Sequence, residues 1–369
     1  MMTKNKPRLL YFVEAMGGGV FTYMVDLANR LTDRYDVYIA YAVRKQTPKD
    51  YRDYFDKRIH LIEVKNFSRS LSLTSNFKAF FEMKQIAKEV QPDVIHLHSS
   101  MAGVLGRFAF NGKKIPLFYT PHGYSFLMQN FGSKKRLAFK LIEEICAKRT
   151  CTTISCSAGE NKETLKMTKQ AVEIDNGINV NELQKLINET EPSNFKHYDV
   201  FTLGRITAQK NPKQFNEIAE SMPNLNFLWI GDGELRSELT APNITVTGWL
   251  TRREALKYSL GSDTFVLTSL WEGLPMSLLE AMYMNKLSIV SDVIGNHDVI
   301  NNGVNGYVCQ DTDSFVKAIR EGITNLEKKN KLIDTAKNEV IEHYNTVVVA
   351  NKYKSLYSRY IKEKQENYG

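Results

Sequence analysis

Short apolar runs alternate with helical stretches along the whole chain of 369 residues. Runs such as 93–98 (DVIHLH) and 116–120 (PLFYT) lack the polar alternation of a half-exposed strand. They are typical of strands that are buried on both faces of a parallel sheet, where the crossover connections are usually helices. The pattern therefore predicts an α/β fold. The predicted strands of the first half are Arg8–Val13, Val37–Ala42, Ile59–Val64, Val94–His98, Leu117–Thr120 and Thr152–Cys156.

A second series of strands and helices follows the polar segment Asn188–His197. Single cores seldom grow beyond about 250–300 residues, so we predict two doubly wound, Rossmann-like domains, 1–190 and 191–346. Tyrosines at helical spacing predict a final helix in 347–369, which we expect to pack back on the first domain. Ligands in such sheets bind beyond the carboxyl ends of the strands, so two such domains would face each other across a cleft. The predicted strands of the second half are Asp199–Leu203, Asn226–Ile230, Ile244–Val246, Thr264–Leu267, Leu287–Val290 and Gly306–Cys309.

Composition narrows the class of protein. With 43% hydrophobic and 24% charged residues, the chain resembles an ordinary globular protein rather than a disordered one. No apolar run approaches the roughly 18 residues of a membrane span, and the first residues hold too short an apolar stretch for a signal peptide. Four cysteines in a chain of this length argue for a reducing compartment, so we expect a cytoplasmic protein.

The excess of basic residues is confined to the first half. The formal net charge of +8 divides into +11 through residue 178 and −3 beyond it. One interpretation is an anionic partner for the first domain, such as nucleic acid, a membrane or a phosphorylated metabolite; the other is a solvated basic face. The basic run 134–136 (KKR) is either a candidate contact with anionic lipid or an ordinary helix start with buried aromatics upstream. The apolar residues upstream of it are Phe126, Leu127, Met128 and Phe131.

Loops that follow strands hold the candidate ligand-binding residues. Gly17-Gly18-Gly19 follows the first strand, where glycines let backbone N–H groups approach a phosphate. Thr22 breaks the dinucleotide-binding fingerprint, and a tight turn without a ligand is the alternative. In the second domain Gly204-Arg205 ends a strand and Lys210-Asn211-Pro212 begins a helix. Two cations near a helix N-terminus suit a diphosphate held without a metal, while two solvated surface cations are the alternative.

Two carboxylates and one histidine complete the candidate set. Glu272 follows a strand and Glu280 lies on the first turns of the next helix, so we expect both near the ligand. A carboxylate can accept hydrogen bonds from two vicinal hydroxyls of a sugar. His122, just after a strand, is either a hydrogen-bonding residue at the cleft or a structural one. We interpret His96 and His98 as buried or strand-end histidines.

The ordered set of motifs resembles the retaining nucleotide-sugar glycosyltransferases of family 4, which have the GT-B fold. The resemblance spans nearly the whole chain in the order of the family. Segments 96–109 and 119–126 further resemble transferases of bacterial capsule, exopolysaccharide and lipopolysaccharide assembly. The matching motifs are Gly17-Gly18-Gly19, Thr120-Pro121-His122-Gly123, Asn176-Gly177-Ile178, Gly204-Arg205, Lys210-Asn211, Gly231-Asp232-Gly233, Glu272-Gly273-Leu274-Pro275, Glu280-Ala281-Met282 and Asn305-Gly306.

The resemblance implies four catalytic residues. Arg205 and Lys210 would hold the donor diphosphate and stabilise the departing nucleoside diphosphate, as a metal does in other transferases. Glu272 would hold the sugar hydroxyls, and His122 would contact the donor sugar near its anomeric carbon. Same-face attack, in which the leaving phosphate assists deprotonation of the acceptor, would need no enzymic nucleophile.

The resemblance also implies a donor-binding set and no cofactor. Glu280 would bind the ribose of the donor, and the loop around Trp249 and Leu250 would hold its base. Asp311-Thr312-Asp313 copies the manganese-binding Asp-x-Asp pattern of the other major transferase fold, but it precedes a helix that an aspartate would cap. We therefore expect no metal. The remaining donor-binding residues would be Gly18, Gly19, Gly204, Gly273, Leu274 and Pro275.

The expected function is retaining, metal-independent transfer of a hexose or an N-acetylhexosamine. The donor would be a nucleoside diphosphate sugar, with a UDP-sugar as the leading candidate. The acceptor would be a lipid-linked or polysaccharide glycan of the bacterial cell surface. We expect a cytoplasmic enzyme with peripheral contact to the inner face of the plasma membrane. The alternatives are a GT-B nucleotide-sugar 2-epimerase, a sugar-nucleotide-binding protein without turnover, and a nucleic-acid-binding protein that lacks the usual motifs.

Overall fold

The strands of the described residues pair in parallel with their neighbours, as the buried apolar runs predicted. The computed structural model describes residues 6–14, 16–44, 47–67, 73–190 and 196–368, without the side chains of 73, 74, 367 and 368. The chain divides into two compact units. Part of the predicted linker, 191–195, lies outside the described residues. The first unit comprises Met1–Leu127, Ser133–Asn176 and Thr346–Gly369, and the second Met128–Gly132 and Gly177–Asn345.

The first unit is built on a seven-stranded sheet. Its elements in chain order are β1 (Arg8–Val13), α1 (Gly18–Leu31), β2 (Asp36–Tyr41), β3 (His60–Glu63), α2 (Leu73–Val90), β4 (Val94–His98), α3 (Ser100–Ala109), β5 (Leu117–Thr120), α4 (Ser133–Ala147), β6 (Thr152–Ser155), α5 (Ala158–Leu165) and β7 (Ala171–Glu173). The strand order is β3-β2-β1-β4-β5-β6-β7. Along β1, Leu9, Tyr11 and Val13 pack on one face with α1, whereas Leu10 and Phe12 pack on the other face with α2. Both faces of the sheet are therefore buried.

The second unit is built on a six-stranded sheet. Its elements in chain order are α6 (Val180–Asn188), β8 (Tyr198–Leu203), α7 (Pro212–Glu220), β9 (Phe227–Ile230), β10 (Ile244–Val246), α8 (Arg252–Leu260), β11 (Ser262–Leu267), α9 (Met276–Tyr283), β12 (Leu287–Ser291), β13 (Tyr307–Cys309), α10 (Thr312–Thr324) and α11 (Leu326–Glu342). The strand order is β10-β9-β8-β11-β12-β13. Because these strands are parallel, their carboxyl ends lie at one edge of the sheet, and the loops that follow them are neighbours.

The last helix, α12 (Thr346–Tyr368), belongs to the first unit. Tyr23 of α1 donates a hydroxyl hydrogen bond to Tyr353 (2.7 Å), and the hydroxyl of Tyr357 lies 2.6 Å from Nδ1 of His96. Both α12 tyrosines are fully buried, so the helix is part of the core of this unit. Apart from Met128–Gly132, the chain enters the second unit after Asn176 and leaves it after Asn345, whereas the sequence analysis places the limits after 190 and 346.

Strand β7 is the element that the sequence analysis misses. It has two half-buried residues and one exposed residue at the edge of the sheet, too few to form an apolar run. The other strands begin and end within two residues of their predicted bounds. Among the helices of the described residues, none is long and apolar enough to cross a bilayer.

Candidate functional site

Two glycine loops of the second unit pack against each other beyond β8 and β9. Gly204 follows β8, and its carbonyl accepts a hydrogen bond from the indole N–H of Trp229 (2.9 Å). A Cβ on Gly231, which follows β9 with φ +137°, would lie 2.3 Å from that carbonyl oxygen. A Cβ on Gly204 itself (φ +150°) would lie 3.3 Å from Cε of Lys210. Glycine at these positions therefore lets the backbone of one loop approach the other loop and the lysine.

Lys210 and Glu272 form an ion pair between two strand-end loops. Nζ of Lys210 lies 2.7 Å from Oε1 of Glu272, with 17% and 8% of the two side chains exposed. The carboxylate also accepts hydrogen bonds from the hydroxyl of Ser269 (2.7 Å) and the side-chain amide of Gln209 (3.2 Å). A carboxylate offers about four acceptor positions, so these donors orient Glu272 and leave about one position for a ligand hydroxyl.

The loop that carries Glu272 lies against the loop that follows β12. A Cβ on Gly295 (φ +85°) would lie 2.4 Å from the carbonyl oxygen of Gly273. From the end of β12, the hydroxyl of Ser291 donates to the carbonyl of Ser269 (2.5 Å). These contacts fix the backbone on both sides of Glu272 and thereby the position of its carboxylate.

Glu280 contacts the start of the helix that follows the Trp249 loop. Oε1 of Glu280, on α9, is 3.0 Å from a guanidinium nitrogen of Arg252, the first residue of α8. Trp249 and Leu250 lie just before α8, and the side chain of Trp249 is 67% exposed. An exposed aromatic face can stack on a planar base, and a carboxylate can accept hydrogen bonds from hydroxyl groups.

The other predicted residues of this unit lie apart from the central ion pair. Arg205 donates to Glu234 (3.0 Å), and both side chains are exposed. Leu274 and Pro275 are buried and lead from Glu272 into α9. The structure thus brings Lys210 and Glu272 together and places Arg205, which shares the loop between β8 and α7 with Lys210, at the surface.

His122 of the first unit lies beside His98, the last residue of β4. Nδ1 of His98 is 3.0 Å from Nε2 of His122, and the two rings stack with centroids 5.3 Å apart. His98 is fully buried, and its Nε2 has no hydrogen-bond partner in the described part of the chain. Desolvation lowers the pKa of His122 to about 4, and burial places the pKa values of His96 and His98 well below the usual value. The three imidazoles are therefore neutral near pH 7, and His96 and His98 are buried as predicted.

A buried glutamate supports the loop that carries His122. His122 and Gly123 have left-handed φ angles of +56° and +92°. Glu160, 1% exposed, accepts hydrogen bonds from the backbone N–H groups of Gly123 (2.7 Å) and Cys156 (2.8 Å). Burial raises the pKa of Glu160, and these two hydrogen bonds oppose the rise by stabilising the carboxylate.

The glycine loop after β1 leads directly into α1. Gly17 is the N-cap with an extended backbone, and the helix begins at Gly18, which has φ +58°. Gly18 and Gly19 are exposed, and a Cβ on Gly18 would meet no atom within 4 Å. The left-handed φ, rather than crowding, therefore favours glycine at 18.

Asp311-Thr312-Asp313 caps a helix. Asp311 accepts the backbone N–H of Ser314 (2.9 Å), and the two residues form a capping box at the start of α10. These hydrogen bonds from Ser314 lower the pKa of Asp311. Over the described ranges, no group of three or more His, Cys, Asp or Glu residues could hold a metal ion. The predicted N-cap is confirmed, whereas independence of a metal stays a prediction.

Sequence reasoning misses the residues that support the site from behind. Asn296 is fully buried and donates to the carbonyl and hydroxyl of Ser291 (3.1 Å each). For Glu160, the spacing from Ser157 is that of a capping box and indicates a helix start. This spacing does not indicate that the same carboxylate also accepts a hydrogen bond from Gly123. The contact of Gly295 also depends on which loops are neighbours, which spacing alone does not indicate.

Two family models match successive parts of the chain. The model of Glycosyltransferase Family 4 matches residues 17–182, and that of Glycosyl transferases group 1 matches residues 184–339. Together the two matches contain every predicted catalytic and donor-binding residue.

Solved structures of GT-B glycosyltransferases share the fold. Sucrose-phosphate synthase from Thermosynechococcus elongatus has a TM-score of 0.77 at 17% identity, over 96% of this chain and 99% of that chain. Anabaena Alr3699/HepE in complex with UDP-glucose has a TM-score of 0.74 at 16% identity, over 95% and 99%. These similarities confirm the predicted GT-B fold class.

Curated relatives cover most of their own length as well as most of this chain. The UDP-Gal:alpha-D-GlcNAc-diphosphoundecaprenol alpha-1,3-galactosyltransferase of Escherichia coli is 30% identical over 338 residues, 83% of this chain and 85% of the relative. The N,N'-diacetylbacillosaminyl-diphospho-undecaprenol alpha-1,3-N-acetylgalactosaminyltransferase of Campylobacter jejuni is 25% identical over 381 residues, 95% and 98%. Both are transferases by name, which favours transfer over the 2-epimerase and nucleic-acid-binding alternatives. The chain belongs to family 4 of the glycosyltransferases.

Proposed function

We propose that this glycosyltransferase transfers a hexose or an N-acetylhexosamine from a nucleoside diphosphate sugar, and that this donor is a UDP-sugar before any other. The observation that carries the proposal is the ion pair of Lys210 and Glu272 at the carboxyl edge of a parallel sheet. A sugar diphosphate needs a cation for its phosphates and an acceptor for its hydroxyls, and this pair supplies both side by side. The Escherichia coli relative uses UDP-Gal by its name, and HepE was solved with UDP-glucose, which supports a UDP-sugar.

Lys210 stabilises the leaving diphosphate as the bond between the anomeric carbon and the phosphate oxygen breaks. Arg205 supplies a second cation from the same loop, between β8 and α7. Its partner, Glu234, is exposed, and exposed ion pairs contribute little free energy. The guanidinium can therefore exchange that carboxylate for a phosphate at small cost.

Glu272 acts as a hydrogen-bond acceptor rather than as a nucleophile. Its carboxylate already accepts hydrogen bonds from Lys210, Ser269 and Gln209. Each of these donors stabilises the negative charge of the carboxylate and so makes it a weaker nucleophile. The acceptor oxygen then bonds to the anomeric carbon from the face that the phosphate leaves, and its proton passes to that phosphate. This course retains the anomeric configuration.

The acceptor is a lipid-linked or polysaccharide glycan of the bacterial cell surface. The names of both relatives specify diphosphoundecaprenol-linked acceptors, which supports a lipid-linked acceptor here. Such an acceptor lies in a membrane, so the enzyme works in the cytoplasm with peripheral contact to the inner face. Lys210 and Arg205 take the charge-neutralising role that a metal has in other transferases, so transfer is independent of divalent metal and cofactor.

Sugar-nucleotide screening tests the proposal. The purified chain is incubated with UDP-, GDP-, dTDP- and ADP-sugars, with and without EDTA, and both thermal stabilisation and donor hydrolysis are measured. We expect one UDP-sugar to raise the melting temperature and to be hydrolysed equally with EDTA. A diphosphoundecaprenol-linked N-acetylhexosamine then serves as acceptor, and with an α-linked donor NMR should show an α product. The proposal fails if no sugar nucleotide is bound or hydrolysed, and release of a free epimer without acceptor would favour the 2-epimerase.

A further inference from the structure

Helix α4 of the first unit exposes a row of large apolar side chains. Leu137, Leu141, Ile142 and Ile145 are 59%, 50%, 41% and 55% exposed. Three of them are spaced at i, i+4 and i+8, so they lie along one face of the helix. We call these four residues the α4 apolar face. Contiguous apolar surface of this kind marks an interaction site in a soluble protein more often than scattered apolar residues do.

The opposite face of α4 is already packed in the core. Glu143 is buried in an ion pair with Arg107 of α3 (2.7 Å) and accepts a hydrogen bond from Tyr119 (3.0 Å). Cys146 is 1% exposed on the same side. The helix is therefore held by its own buried face, and the apolar face is free to contact another surface.

Basic residues lie at both ends of the α4 apolar face. Lys134 and Lys135 precede it by one turn, and Lys148 and Arg149 follow it. Of the two acidic residues of α4, Glu143 is buried and Glu144 is half-buried, so the four basic residues outnumber the acidic ones at that surface. Long basic side chains at the ends of an apolar stripe can reach anionic headgroups while the stripe enters the acyl boundary.

Further apolar side chains lie on the neighbouring helices of the same unit. Phe108 of α3 is 47% exposed beneath the guanidinium of Arg149 (5.4 Å), and Phe77 and Phe81 of α2 are also exposed. The sequence analysis expected the apolar residues upstream of 134–136 to be the ones near lipid. Phe126, one of them, is instead buried and stacks on Tyr124 (4.8 Å). The exposed apolar surface is thus on α4 itself and not in the segment that precedes it.

We propose that the α4 apolar face docks in the plane of an anionic phospholipid surface, with the basic residues at its ends on the headgroups. The charge of +11 through residue 178 is complementary to such a surface and disfavours a second copy of the same basic unit. The inference deepens the proposed function, on which it rests only for the expectation that the acceptor is a membrane lipid.

Vesicle flotation of the full chain tests the docking. The chain is mixed with vesicles of phosphatidylglycerol and phosphatidylcholine, or of phosphatidylcholine alone, and the variant Leu137→Ser/Leu141→Ser is compared with the wild type. We expect at least a tenfold loss of binding to the anionic vesicles for this variant, and a similar loss for Lys134→Glu/Lys148→Glu. The matched control is Ile323→Ser/Leu326→Ser in the second unit, where both side chains are exposed and binding should not change.

Donor binding separates this inference from the proposed function. The α4 variants should keep the thermal stabilisation by the UDP-sugar and its hydrolysis, which shows that they fold. Unchanged vesicle binding by the α4 variants would overturn the inference whatever the donor results. A wild-type dimer in ultracentrifugation that the serine variant converts to a monomer would also overturn it, in favour of contact with a second copy.

Discussion

Nδ1 of His98 and Nε2 of His122 lie 3.0 Å apart and share one hydrogen. If His98 carried its hydrogen on Nε2, a buried N–H group without a partner would remain, at a cost of about 1–3 kcal/mol. His98 therefore carries the hydrogen on Nδ1 and donates it to His122. This leaves His122 with its own hydrogen on Nδ1, so His98 determines that His122 presents a donor to its surroundings.

We predict that His122 is the Nδ1–H tautomer at pH 7. Long-range ¹H–¹⁵N correlation spectra of the ¹⁵N-labelled protein distinguish the two ring nitrogens, and His122→Ala assigns the signals. We expect the bare-nitrogen shift for Nε2 of His122. His98→Phe should remove this preference and lower transfer more than donor binding, whereas an Nε2–H tautomer in the wild type would refute the argument.

The imidazoles of His96, His98 and His122 should make the first unit sensitive to mild acid. The pKa values of His96, His98 and His122 are lowered below the ordinary 6.5 by burial, so in the folded state they stay neutral where the unfolded chain takes up protons. Their contribution is complete above pH 6.5 and is lost progressively as the pH falls below it, for His122 down to about 4. Each contributes up to about 1.4 kcal/mol per pH unit.

Urea unfolding at pH 7.5, 6.0 and 5.0 measures the slope of the free energy of unfolding against pH. We expect the free energy of unfolding of the first unit to fall across the series, and His122→Phe to reduce the slope. His343→Gln, at an exposed histidine of the second unit, is the control and should leave the slope unchanged. Equal free energies at pH 7.5 and 5.0 would contradict the prediction.

The parts of the fold and of the site that depend on local sequence could be predicted, whereas contacts between separate loops could not. Strands β1 and β4 begin and end where the strongly apolar runs do, because burial on both faces leaves no exposed residue inside them, and His96 within β4 is itself fully buried. The pairing of Lys210 with Glu272 follows from two loops at the carboxyl ends of adjacent strands, β8 and β11. Glu160 escapes prediction because it accepts the backbone N–H of Gly123 in another loop, and any sequence supplies such groups. Asn296 escapes prediction because its partner Ser291 lies five residues before it, a spacing that is no helix-cap signal.

Loss of Lys210 should damage catalysis and the Glu272 loop together. In Lys210→Met the buried carboxylate of Glu272 keeps only the hydrogen bonds from Ser269 and Gln209. We expect transfer to fall by about 10²–10³-fold, the usual loss when one donor to a developing negative charge is removed. Steady-state kinetics with the UDP-sugar identified by screening measure the change. Lys213→Met removes an exposed lysine of α7 three residues away and should leave the rate unchanged; an equal loss there would show that overall charge, not position, matters.

Gly295 and Gly303 form a matched pair that separates backbone strain from crowding. Both have left-handed φ angles, +85° and +75°, so alanine costs about 1 kcal/mol of strain at either position. A Cβ at 303 would meet open space, whereas one at 295 would lie 2.4 Å from the Gly273 carbonyl oxygen and 3.1 Å from Cβ of Glu272. We therefore expect Gly303→Ala to lower stability slightly and to keep full activity. Gly295→Ala should displace the Glu272 loop and lower kcat/KM for the sugar nucleotide at least tenfold at a temperature where both variants are folded. Equal activity of the two variants would show that the loop after β12 does not position Glu272.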